Sequence, residues 1–130
     1  MRVFLPILFL TGPAFADTAL NGAEFEALVT GKTLTFSVGD APYGTEYYAP
    51  NRQVIWAFVG GDCKTGEWYE AQTNSGPAIC FEYEDENTPK CWQIFNEGDQ
   101  IRAEFLNRPS TTILYEATEE EPLICGGIGA

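Results

Sequence analysis

Polar and apolar residues alternate along most of this chain with a period of two, the pattern of half-buried strands. Thr33-Leu-Thr-Phe-Ser-Val38 places Leu34, Phe36 and Val38 on one face. After the turn residues Gly39-Asp-Ala-Pro42, Thr45 to Tyr48 reads as a second strand, closed by the turn Ala49-Pro-Asn-Arg52. Val54 to Val59 is apolar on both faces, which predicts a central strand or one whose second face is covered by a helix. Gly60-Gly-Asp marks a hairpin turn, and Glu67 to Ala71 follows, ended by Thr73-Asn-Ser-Gly-Pro77. Ile79, Phe81 and Tyr83 alternate with Cys80, Glu82 and Glu84. Across a turn at Asp85 to Pro89, Trp92 and Ile94 join the apolar face. Ile101 to Phe105 and Ile113 to Ala117 complete the set. The pattern predicts an all-β antiparallel meander of about eight short strands. Closure into an up-and-down barrel would leave no exposed edge; a flattened sandwich is the alternative.

One stretch departs from the alternation. Phe25, Leu28 and Val29 form an apolar stripe at helical spacing within Asn21 to Thr30. Asn21 is suited to cap this helix, with Glu24 three residues on as in a capping box and Leu20 and Phe25 spaced as a hydrophobic staple. Gly31 supplies the stop. Such a helix would close one end of a barrel or pack on a sheet.

The first residues read as an export signal rather than as part of the fold. Arg2 precedes the short apolar run Val3 to Leu10, and Ala14-Phe15-Ala16 is a small-x-small cleavage site. Residues 1–16 are therefore expected to be a signal peptide, with 17–130 a single domain beginning at Asp17. The run is well short of the roughly 20 apolar residues that span a bilayer, and no later segment could act as an anchor. Export changes the reading of the four cysteines, since an even count outside the cytoplasm implies disulfides. Four cysteines allow three pairings; the strand pattern favours Cys80 with Cys91 across the hairpin, which would leave Cys63 to pair with Cys125 and tie the C-terminal tail to the sheet.

Charge and composition narrow the chemistry. The chain carries a net charge of -12 and has no histidine. An acidic surface is repelled by phosphate backbones, so nucleic acid is not expected as a partner. Without histidine or a CxxC pair, neither a zinc centre nor a histidine-activated nucleophile is expected, and no cofactor is implied. Glu67, Glu70, Glu82 and Glu84 are the carboxylates a hydrolase would draw on, although alternation turns Glu82 and Glu84 away from the apolar face. Asp85, Glu86 and Asn87 lack EF-hand spacing and read as a solvated turn. Thr118 to Pro122 reads as a solvated acidic segment, with docking of a basic partner as the sharper alternative, followed by a glycine-rich end expected to be mobile. Phe36, Trp56, Phe58, Trp68, Phe81, Tyr83, Trp92 and Phe105 would either fill a barrel or line a ligand cavity. In a domain this small a filled core is the expectation. Tyr43, Tyr47 and Tyr48, beside Gly44 and Pro50, then form the expected binding surface.

The series Gly31-Lys-Thr33, Tyr43-Gly44, Trp56, Cys63 with Gly66-x-Trp68, Ile79-Cys80 and Cys91-Trp92 resembles small exported proteobacterial proteins grouped as a domain of unknown function. The resemblance covers roughly Gly31 to Phe95 and implies a signal peptide, a small β-rich domain and a structural disulfide; it implies no activity. More loosely, the architecture is similar to calycin-type barrels and to periplasmic barrels that inhibit lysozymes or metalloproteases. The Ser-Gly-x-x-Tyr loop of the lysozyme inhibitors has no counterpart, since Ser75-Gly76 runs into Pro77-Ala78-Ile79. The expectation is a non-enzymatic exported binding protein that engages an envelope protein. The alternatives are a barrel carrying a small apolar ligand and a carboxylate-based hydrolase.

Overall fold

Asn21 caps the helix as its spacing predicts. Its side-chain oxygen accepts from the Glu24 N–H at 2.8 Å, and its own N–H donates to Glu24 Oε1 at 2.9 Å. Helix α1 (Gly22–Val29) buries Phe25 and Val29 and is followed by Gly31 at φ +85°, a backbone state that favours glycine. These features come from a computed structural model that describes residues 2–6 and 18–125. The expected cleavage site at Ala14 to Ala16, Asp17 and the glycines after Cys125 lie outside the described residues. Of residues 2–6, Val3, Phe4 and Leu5 are exposed and belong to no strand.

The alternating segments form β1 (Thr33–Val38), β2 (Ala41–Ala49), β3 (Gln53–Phe58), β4 (Lys64–Thr73), β5 (Gly76–Tyr83), β6 (Lys90–Asn96), β7 (Ile101–Phe105) and β8 (Ile113–Glu116). Each pairs antiparallel with the next, and β8 returns to β1 through Phe36 with Glu116 and Ser37 with Tyr115. The sheet is therefore a closed barrel and not a sandwich. Some details differ from the sequence pattern. β2 starts at Ala41, so the first turn is confined to Gly39 and Asp40. β4 reaches back to Lys64 and on to Thr73, because its backbone pairs with β3 and β5 whatever the polarity of its side chains. A register shift between Phe36 and Ser37 rotates the end of β1, leaving Val38 41% exposed instead of beside Leu34 and Phe36.

The helix closes one end of the barrel. Phe25 enters it, meeting Trp68 at 5.0 Å and Tyr48 at 5.6 Å, both edge to face. Four contacts hold the plug in place. Gly22 N–H donates to Glu70 Oε1 at 2.6 Å, Arg52 Nε to Glu26 at 3.0 Å, Leu20 N–H to the Ile94 carbonyl at 2.7 Å and Gly31 N–H to the Tyr48 carbonyl at 2.7 Å. The helix thus covers neither outer face of β3; Val54 and Trp56 are buried because they point inward.

Both disulfides expected from the pattern are present. Cys80 and Cys91 are ladder partners with Cα atoms 4.0 Å apart. Cys63 and Cys125 lie 5.0 Å apart and fasten the C-terminal segment to the β3–β4 loop. On its way that segment crosses the outside of β1. Glu121 N–H donates to Thr35 Oγ1 at 2.8 Å, burying Thr35 and its hydrogen-bonded neighbour Thr45. Residues 118–122 remain exposed, as a solvated segment would. Two disulfides suit an oxidising environment. Among the described residues, no helix is long and apolar enough to cross a membrane.

Candidate functional site

Above the helical plug the barrel interior is not filled. A cavity of about 240 Å³ occupies it, reaching toward the end opposite α1. This overturns the expectation of a filled core, and two glycines supply the reason. A Cβ on Gly44 would sit 2.4 Å from the Trp56 ring. One on Gly66 would lie 2.5 Å from the Glu82 carbonyl and 2.8 Å from the Tyr83 ring. The Trp56 ring therefore occupies the space over Gly44, and the Tyr83 ring the space beside Gly66, where a side chain would otherwise stand. Ala103 on β7 adds little bulk from the far side.

Every strand contributes to the wall, β4 only through Lys64, since over its Gly66 the Tyr83 ring takes the space. Phe36, Trp56, Phe58, Phe81, Tyr83, Trp92 and Phe105 all line it, so seven of the eight aromatics singled out from the sequence share one surface. The eighth, Trp68, is buried at the plugged end against Phe25, with the Arg52 guanidinium 4.5 Å from its ring. Ring contacts run around the wall: Trp56 with Phe58 at 5.4 Å, Trp92 with Phe105 at 4.6 Å, and Phe81 stacked on Tyr83 at 6.2 Å.

The expected tyrosine surface does not assemble. Successive residues of a strand face opposite sides. Tyr48 points inward at 2% exposure and forms part of the cavity floor, whereas Tyr47 points outward beside the tail segment Glu120 to Leu123. Tyr43, at the irregular start of β2, is half-buried at the cavity mouth and packs on Phe58 at 5.3 Å and Trp56 at 5.8 Å. Two of the three are thus cavity residues.

One carboxyl lies inside. Glu46 sits between Leu34 of β1 and Trp56 of β3 and is 3% exposed. The Tyr83 hydroxyl donates to its Oε2 at 2.5 Å. The Tyr48 hydroxyl favours the charged form as well. Burial outweighs both and pushes the Glu46 carboxyl up to about 8. Burial and the adjacent carboxyl also raise both phenols well above their usual range. Sequence reasoning passed over Glu46 because its strand was read from its tyrosines. The available signal was parity: Gly44, Glu46 and Tyr48 share a face.

The mouth is charged. Lys64 Nζ lies 2.8 Å from Glu86 and 3.6 Å from Asp85, and Lys90 Nζ lies 3.7 Å from Glu86. Burial disfavours the Lys64 charge, but Glu86 and Asp85 more than offset it and hold its ammonium above the ordinary value. The Asp85–Asn87 turn is thus engaged with lysines. Among the described residues no group of acidic or sulfur ligands is placed to hold a metal ion. Glu67 and Glu82 are ladder partners, but both are exposed on the outer face of the barrel, where Tyr69 donates to Glu82 at 3.4 Å. They do not flank a cleft. Glu84 is likewise outside, its Oε1 accepting from the Thr65 N–H at 3.2 Å, and Glu70 caps the helix.

Compared with protein-family models, curated proteins and solved structures, the chain matches none.

Proposed function

We propose that this domain is an exported, periplasmic or secreted carrier that holds one small, largely apolar molecule inside its barrel. The observation that carries this reading is the aromatic-walled cavity of about 240 Å³ with a single buried carboxyl at its side. Ligand sites are concave and mostly apolar, with a few placed polar groups. Eight-stranded barrels have room for one small ligand when side chains leave the centre free. Closure by α1 at one end and a mouth at the other gives a single route of entry.

Isothermal titration with indole tests the reading. Saturable binding to the native domain is expected, together with its loss in Ala103→Phe, which places a ring in the cavity. Circular dichroism and the disulfide-bonded mass establish that this variant is folded. Absence of saturable binding to the native domain, or unchanged binding in Ala103→Phe, overturns it.

A second reading, engagement of an envelope protein, is favoured by the apolar rim. Phe58 is 44% exposed and Val59 61% exposed at the mouth, where a partner would cover them. Co-purification from envelope extract that is lost in Val59→Glu supports it, and unchanged co-purification in that variant opposes it.

A further inference from the structure

Glu46 is chemically out of place in a cavity meant only for hydrocarbon. Its carboxyl is buried among rings, and among the described residues no Lys or Arg forms an ion pair with it. Tyr83 donates to one oxygen at 2.5 Å, a bond that favours the charged form without outweighing burial, and no counter-charge is supplied. Its neighbours Trp56, Tyr48 and Tyr83 are aromatic, and aromatic rings can attract cations. Trp56 is its direct ladder neighbour, and Tyr43 and Phe58 pack on Trp56 toward the mouth. A buried carboxyl flanked by aromatic rings is complementary to an ammonium group on an apolar body.

Resting on the carrier reading above, we infer that the ligand is a small primary amine with an aromatic or alkyl body, whose ammonium group pairs with Glu46. The empty barrel keeps this carboxyl mostly protonated at neutral pH because burial disfavours its charge. An entering ammonium supplies the missing charge, and Glu46 gives up its proton to solvent as the pair forms. Binding is therefore linked to the release of one proton. The ionisable groups lining the same cavity are Tyr48 on β2, Tyr83 on β5, and Tyr43, Lys64, Glu86 and Lys90 at the mouth. Glu116 on β8 acts on Tyr48 from the plugged end. Lys64 and Lys90 are already met by Glu86, so the mouth admits a cation without an unmatched like charge facing it. Leu34, Phe25 and Leu114, packed around the same space, bring no charge.

The test compares 2-phenylethylamine with 2-phenylethanol, which match in size and differ in charge, by titration calorimetry on the disulfide-bonded domain. At pH 8 the amine should bind at least tenfold more tightly than the alcohol. Its affinity should fall by about tenfold per pH unit below that point, while the alcohol's stays flat. Glu46→Gln should abolish both the preference and the pH dependence. Tyr83→Phe, which keeps the carboxyl, should retain the preference. If Glu46→Gln does not fold, the wild-type pH profile decides alone. Equal affinities, or a tighter alcohol, overturn the amine assignment and leave the carrier reading intact. Binding of neither compound, when indole binds, also overturns it. Binding of neither compound nor indole overturns both readings.

Discussion

Replacing Glu46 by Gln should change how the stability of the domain depends on pH. In the folded barrel the carboxyl is pushed from 4.5 up to about 8, and it is fully buried. The unfolded chain leaves it near the ordinary value. The folded state therefore holds this proton more tightly than the unfolded state across that interval. The linkage slope is negative there, so stability is highest below about 4.5, falls as pH rises toward about 8, and levels off beyond. Each pH unit inside the window costs about 1.4 kcal/mol. From about pH 5 to about pH 8 the wild type should lose about 4 kcal/mol more than Glu46→Gln, which has no proton to give up. Gln keeps an oxygen to accept from Tyr83, so the hydrogen bond survives the substitution. The variant also retains every surface carboxylate, so subtracting its profile removes their shared titration. Urea unfolding with both disulfides intact, repeated across this range, measures the difference. Parallel profiles for the two proteins would refute the argument, because they would mean that Glu46 is solvated and ionises normally.

Three further outcomes follow from the same structure. Removing Cys63–Cys125, whose partners are 62 residues apart, should cost about 4 kcal/mol, and removing Cys80–Cys91, 11 apart, about 3 kcal/mol by loop-closure entropy; urea midpoints of the paired Ser variants check both values. Gly44→Ala puts a methyl 2.4 Å from the Trp56 ring, so it should destabilise the domain by about 1–3 kcal/mol and shift Trp56 fluorescence as the ring is driven into the cavity. Tyr48→Ala should cost about 3 kcal/mol or more, whereas Tyr47→Ala, half-buried on the outer face, should cost about 1 kcal/mol or less by thermal unfolding.

The strands were legible because strong alternation and turn residues coincide. Ile79, Phe81 and Tyr83 against Trp92 and Ile94 fixed a hairpin register that also sets Cys80 opposite Cys91. The helix was legible through Asn21 and Glu24, whose reciprocal bonds are purely local. The cavity was not. Aromatic residues at inward positions look the same whether their rings cross the barrel or lie along it. What decides is the space over Gly44 and Gly66, set by partners on neighbouring strands. Tyr43, Tyr47 and Tyr48 misled for a related reason. Adjacency in sequence suggested one surface, while the strand sent Tyr47 and Tyr48 to opposite sides. Glu46 escaped notice because a lone glutamate in a strand usually faces water.

Native mass spectrometry of the domain purified from the cells that make it, without prior denaturation, tests the carrier reading most directly. The account predicts one small molecule bound per barrel, released on unfolding, on a chain four hydrogen atoms lighter than its fully reduced form. A folded, doubly disulfide-bonded chain that carries nothing from its native source, and gains nothing when indole or 2-phenylethylamine is added, would contradict it.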